Sequence, residues 1–464
     1  MVINMLPDDI LLDIFDAYRR YWSNFRDLIV WPWDRLVHVC RRWRQIIFAS
    51  PLRLHLYLHC AFLRASGPDV RKFLGCWPAF PISVDYTRRK GFTPDDEDNV
   101  LAALEHSDRV GILCLHLKAP QLERLATVMQ KPFPLLKKLD ILGTSWPVPV
   151  LPGGFLGGSA SCLQELKVDD VLFPELPTLL LSTRDLVTLH LSRVGYISPE
   201  VMAASLAPLT KLRSFSIRLQ SPTSLDQQPA PVTHTRTVLP SLTSIVFSCD
   251  CRYVEDLVAR IDCPRLKGID LYLDYSSVGL QLSQVFEFIN RSEDPRLTQF
   301  SRVLVCIDTS YLASLDMTFN FEEKHHIPIF ISLLGPSWTD SHIFQVFGQF
   351  ATLFSNVLYF SISINSSRVM PFTKLDWVQL FVPFSNLQML HVSGDRVGDI
   401  VLALEGGDGE MTTEILPALE LLYIEGEPVS SLSRFCAVCW LSGRLVTFVN
   451  TQKEFYERLE SYTY

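Results

Sequence analysis

Few side chains in this sequence have types and spacings that could do chemistry. Gly153-Gly154-Phe155-Leu156-Gly157-Gly158 is glycine-rich, but no Lys-Ser/Thr pair follows it, so it is a poor phosphate loop and reads as a flexible insertion. Cys436 and Cys439 have the spacing of half a zinc site. A structural zinc needs four ligands and no second pair lies nearby, so no metal is expected there. Cys249, Cys251 and Cys263 fare no better. His325-His326 follows Glu322-Glu323-Lys324 and reads as a charged, hydrated turn. No Gly-x-Ser-x-Gly elbow and no His-Glu-x-x-His helix occurs. The sequence therefore points away from an enzyme, a metal or a cofactor, and catalytic residues assembled from distant positions stay a remote third reading.

Composition bounds the remaining classes. Hydrophobic residues make up 48% and charged residues 20%, as in a folded chain with a sizeable core. The net charge is −8; residues 1–60 carry +2, which leaves −10 on the rest. An acidic body without a Lys/Arg stripe argues against nucleic acid as the partner. No run of eighteen apolar residues occurs, so no membrane span is expected, and the nearest, residues 327–334, has the length of a buried strand. The eleven cysteines are scattered inside apolar runs, as at Cys114, Cys162 and Cys306, which suits buried thiols in a reducing compartment. With no room for a leader before the first motif, cytoplasm or nucleus is the expected location.

The elements that would present a surface repeat along the chain. Val110-x-x-Leu113-x-Leu115 recurs at Leu136, Leu163, Leu186, Leu212, Leu242 and Leu266, at intervals of 26, 27, 23, 26, 30 and 24 residues. The pattern returns at Val357, Leu387 and Leu419. A period of this length marks a solenoid whose units each give one strand. Proline precedes several units, as at Pro134, Pro240, Pro264 and Pro417, where it would stop the preceding element. Two further strands are expected between Leu271 and Val357, at residues 301–307 and 329–333. Helices are expected at 99–106, 255–261, 377–384 and 453–461, with a last strand at 444–449. Residues 55–80 read as helical or irregular, and the charge run from Arg88 to Asp98 as a solvated loop. The pattern resembles degenerate leucine-rich repeats; the Asn that usually caps the turn after the strand is missing, with Gly143, Asp170, Gly394 and Gly426 near its place.

The amino-terminal stretch is different. Leu6, Ile10, Ile14 and Tyr18 fall at helical spacing with Leu11 and Phe15 alongside, behind Pro7, Asp8 and Asp9, which favour a helix start. Leu36, Val39, Cys40, Trp43 and Ile47 form a second helical stripe, with Arg41, Arg42 and Arg44 opposite. Some fifty residues cannot bury so much apolar surface alone, so a face must meet the rest of the chain or a partner.

Leu6-Pro7-Asp8-Asp9-Ile10 with Ile14-Phe15, then Val39-Cys40-Arg41-Arg42-Trp43-Arg44 and Ser50-Pro51-Leu52, resembles the F-box. Two departures are an insertion of about ten residues between Tyr18 and Leu36, carrying Trp22, Phe25, Trp31 and Trp33, and Arg53 where an aromatic residue is common. The resemblance implies an α/β chain: a small helical F-box module over residues 1–60, then an irregular leucine-rich-repeat solenoid over 61–464, with parallel strands on the concave side and helices and loops on the convex side. It implies the substrate-recognition subunit of a cullin–RING (Skp–cullin–F-box) ubiquitin ligase, ending in ubiquitin-dependent degradation of a target protein. The Skp-type adaptor would be bound through Leu6, Pro7, Ile10, Leu11, Ile14, Phe15, Leu36, Val39, Cys40 and Trp43, some of which, Trp43 foremost, must hold the module together. The target would meet the concave positions Asp140, Lys167, His190, Ser216, Val246, Asp270, Ser361, His391 and Tyr423. The alternative is an interaction scaffold whose helical start is an end cap. A cap would hide the Leu6–Phe15 face, and an adaptor site would leave it open.

Overall fold

The computed structural model describes residues 6–23, 34–51, 53–54, 57–59, 67–77, 80–87, 92–219, 236–274, 282–298, 300–308, 313–319, 329–335, 346–349, 354–365, 374–404, 415–425, 437, 440 and 446–450. The fold is α/β, with mostly parallel strands, in two compact units: Met1–Gly195 with Ser205–Leu212, and Tyr196–Ala204 with Arg213–Tyr464. Among the described residues no helix is long and apolar enough to cross a membrane.

The first unit begins with three helices, α1 (Asp8–Ser23), α2 (Asp34–Val37) and α3 (Arg41–Ala49). Six parallel strands follow in chain order: β1 (Leu58–His59), β2 (Ile82–Tyr86), β3 (Val110–Leu117), β4 (Lys138–Gly143), β5 (Glu165–Asp169) and β6 (Thr188–Ser192). β2 was not foreseen, and the charge run behind it is not simply a loop. Helix Pro94–Leu104 starts inside that run, because Thr93 and Asp96 form a capping box and the acidic residues sit in the first turn.

The second unit holds β7 (Ser214–Arg218), β8 (Thr237–Val238), β9 (Ser244–Asp250), β10 (Ile261–Asp262), β11 (Gly268–Asp274), β12 (Arg302–Asp308), β13 (Ala313–Phe319), β14 (Ile329–Gly335), β15 (Tyr359–Asn365), β16 (Met389–Gly394), β17 (Leu421–Ile424) and β18 (Thr447–Asn450). β8 and β10 pair apart from the sheet. The sheet order runs β7-β9-β11-β14-β13-β12-β15-β16-β17-β18. This corrects the expectation of uniformly parallel strands with two between Leu271 and Val357. Among the described residues there are three, and β13 lies antiparallel between β12 and β14. The missed strand lacks the Leu-x-x-Leu-x-Leu pattern, yet Leu315, Met317 and Phe319 alternate with polar residues and are buried on one face. Helices Cys251–Arg260 and Lys374–Phe381 match two of the expected ones; the helix expected at 453–461 lies outside the described residues.

All ten pattern units enter strands, and the first Leu or Val of nine of them closes a turn. The N–H of Leu136, Leu163, Leu186, Leu212, Leu242, Leu266, Val357, Leu387 or Leu419 donates to the carbonyl three residues earlier, two residues before the strand begins. Proline therefore does more than stop an element. Pro134, Pro240, Pro264 and Pro417 occupy the second turn position, where a fixed φ favours the bend. At the other strand ends the missing Asn is replaced by backbone bonds between successive turns, as from Asp170 N–H to the Ser192 carbonyl and from Asp395 N–H to the Ile364 carbonyl. Left-handed residues make these turns: Asp170 and Arg193 at φ 52° and Gly394 at φ 89°.

Candidate protein-binding surfaces

At the amino terminus the structure sorts the ten predicted adaptor residues into two groups. Leu11, Phe15, Leu36 and Trp43 are buried, and the Phe15 and Trp43 rings meet at 4.8 Å and 60°. Pro7, Ile10 and Ile14 point outward from one side of α1, and Val39 is exposed on the turn before α3. Ile10 is 45% exposed, Ile14 40% and Val39 58%, values that leave an apolar face unburied. Leu6 and Cys40 are half-buried.

The single stripe expected from Leu36 to Ile47 is corrected. The chain breaks at Cys40, whose extended backbone (φ −158°) and Sγ, accepting from Trp43 N–H at 3.5 Å, cap α3. Besides the Phe15–Trp43 contact, two arginines tie the start of α1 to α3 and to the segment after it. Arg42 Nη2 donates at 2.6 Å to the Leu6 carbonyl and at 2.6 Å to Asp8, and Arg53 reaches Asp9 at 3.1 Å. The Val39 turn and the Pro7–Ile10 end of α1 thus lie within one arginine's reach. Of the tryptophan-rich insertion, Phe25, Trp31 and Trp33 lie outside the described residues. Sequence reasoning missed how the module meets the strands. Phe48 packs edge-on to Trp77 and Phe80, each at 5.4 Å, although all three were legible as aromatic residues near helix ends.

The predicted concave residues fall into register rows. Cys114, Asp140, Lys167 and His190 are Cα partners across β3 to β6. In the second unit Ser216, Val246 and Asp270 align with Phe330, and Ser361, His391 and Tyr423 with Leu304 and Val449. The first unit's row is charged. His116 Nε2 lies 3.3 Å from Asp140, and Lys138 lies 2.7 Å from Glu165 in the row beside it. Burial raises the Asp140 carboxyl, but the His116 hydrogen bond and the charges of Lys167, His116 and Lys138 outweigh it and hold it below the usual carboxylate range.

Ser361 and His391 are corrected from surface positions to buried ones, 1% and 3% exposed. His391 Nδ1 lies 2.9 Å from Ser361 Oγ, and its Nε2 lies 3.5 Å from Glu425. Burial pushes the imidazole pKa down to about 4, so it is neutral at physiological pH. Serine, histidine and glutamate in a chain invite a catalytic reading. Ser361 Oγ is covered to 1%, and its contact with His391 Nδ1 is a buried hydrogen bond between neighbouring strands.

The other chemical candidates take structural roles. In the glycine-rich stretch Phe155 and Leu156 are buried, and Gly154 N–H donates to Glu175 at 2.8 Å instead of facing a ligand. Cys249, Cys251 and Cys263 are buried free thiols, and burial pushes Cys249 up to about 12. Among the described residues no three His, Cys, Asp or Glu side chains group as metal ligands. Cys436, Cys439, His325 and His326 lie outside the described residues.

No protein-family model and no curated protein matches this chain. Among solved structures it is similar to one described as the crystal structure of the Rad7 and Elc1 complex in yeast, at 13% identity, covering 90% of this chain and 88% of that one with a TM-score of 0.29. At that score the likeness defines neither fold nor function.

Proposed function

We propose that the chain is a non-catalytic substrate receptor of a Skp–cullin–F-box ubiquitin ligase. Its first sixty residues bind a Skp-type adaptor and the strand-bearing remainder binds the target protein. The observation that carries the reading is the division within α1: Leu11 and Phe15 close the module's own core, while Pro7, Ile10 and Ile14 stay open beside the exposed Val39. An unpaired apolar face on a small helical module suits a partner rather than solvent. The receptor works by tethering, raising the local concentration of a target near the conjugating enzyme without bond chemistry of its own. Co-expression of the full chain with a Skp-type adaptor, followed by size-exclusion chromatography, tests it. A stoichiometric complex that is lost with Leu6→Ala plus Pro7→Ala supports the receptor; a chain that elutes apart from the adaptor refutes it.

The packing of Phe48 on Trp77 and Phe80 favours a second reading, a scaffold whose helical module is an end cap. The two differ in the open face, which a cap would not need.

A further inference from the structure

The outward face of the second unit's sheet gathers aspartates around two aromatic rings. Ile269, Leu271 and Leu273 are buried, so Asp270, Tyr272 and Asp274 stand on the opposite face of β11. Asp250, which ends β9, is the Cα partner of Asp274. Asp316 on β13 and Asp308 on β12 share this face further along the sheet, and Tyr272 aligns through Ser332 with Asp316. Tyr272 is exposed, with its ring 5.4 Å from that of Phe330 on β14. Like charges at directly paired strand positions are destabilising, yet Asp250 sits beside Asp274. Burial raises the carboxyls of Asp274 and Asp316, and the charge of Asp250 adds to this at Asp274 as that of Asp308 does at Asp316. Arg218, at the end of β7, offsets part of it at Asp274, and hydrogen bonds from Ser332 and Ser314 offset part at Asp316. The Arg218 Nε itself donates to Ser248 Oγ at 3.3 Å, and Arg302 stands at the opposite end of its strand from Asp308. Asp316 Oδ1 is covered and accepts no hydrogen bond among the described residues.

We propose that this face binds a basic segment of a protein partner, an extended stretch with lysine or arginine at alternate positions. A cation over the Tyr272 ring is attracted by the face of the π-system, while a neighbouring carboxylate accepts from its N–H donors. Asp274 and Asp316 lie two strands apart, on the order of 10 Å, too wide for one small cation to span. Alternate side chains of an extended segment repeat about every 7 Å on one side, so two long basic side chains reach both carboxylates. The same charges repel a nucleic acid or an acidic lipid surface. Binding of this kind rests on the reading that the strand-bearing remainder holds the target. Adaptor binding belongs to the helical module, so either can fail without the other.

Fluorescence anisotropy of the full chain tests it with a labelled peptide carrying two lysines in alternation, its glutamine counterpart, and spermine as competitor. The lysine peptide is expected to bind at least roughly tenfold more tightly than the glutamine peptide. Asp274→Asn and Tyr272→Leu should each weaken it by about threefold, and Tyr272→Phe should retain the affinity. Both side chains are exposed, and Asp274→Asn also relieves the repulsion from Asp250, so thermal unfolding should be no lower. Asp95→Asn makes the same charge change on an exposed helix turn of the first unit and should leave binding unchanged. Equal binding of the two peptides, equal weakening by Asp274→Asn and Asp95→Asn, or spermine binding as tightly as the lysine peptide would overturn the proposal.

Discussion

Ile14 and Phe15 are neighbours in sequence and opposites in the fold: Phe15 is 1% exposed with its ring 4.8 Å from Trp43, and Ile14 is 40% exposed. Adjacent helix positions point about 100° apart, so one helix can close a core and keep an apolar face free. The two residues therefore answer to different measurements, one of stability and one of binding.

Trp43→Ala removes the ring that covers Phe15 and leaves a cavity between α1 and α3. The expected cost is about 3–5 kcal/mol, confined to the helical module. Limited proteolysis of the full chain should cleave within α1 or α3 while the strands persist. Wild-type resistance would mean that Trp43 is not the module's core.

Gly394 sits at φ 89°, and a Cβ there would lie 2.2 Å from the Ile364 carbonyl oxygen. Backbone cannot yield as a flexible side chain can. Gly394→Ala is expected to lower unfolding stability by about 1–3 kcal/mol, read by urea denaturation. Gly398→Ala meets nothing within 4 Å and serves as the control.

His391 has a folded pKa of about 4 against an ordinary 6.5. Between those values the unfolded chain binds the proton and the folded chain does not, so the stability this buried neutral ring allows is complete above 6.5 and is lost as pH falls towards 4. The full loss is about 3 kcal/mol. Glu425, raised by burial, titrates with the opposite sign, so the comparison with His391→Gln isolates the ring. Wild type should gain on the variant as pH rises from 4 to 6.5; parallel curves would mean the ring is solvated.

Much of the sheet was legible because Leu-x-x-Leu-x-Leu encodes two local things at once: a turn closed by the first Leu and two buried strand positions. The rows Asp140–Lys167–His190 and Ser361–His391–Tyr423 follow from that register alone. The reversed β13 was not legible, since strand order is decided by long-range pairing and not by the local pattern. Nor was the burial of Ser361 and His391, which depends on what lies over the face. In the helical module the periodicity gave α1, but the break at Cys40 turned on a thiol acting as a cap, a role sequence rules reserve for oxygen.

Adaptor binding by the open side of α1 is the proposal on which the receptor reading turns. Calorimetric titration of a Skp-type adaptor into the full chain, wild type and Ile10→Asp/Ile14→Asp, tests it most directly. Tight, one-to-one binding by wild type and loss of binding by the variant are expected, with thermal unfolding nearly unchanged because both side chains are already exposed. Absence of wild-type binding, or equal binding by the variant, would contradict it.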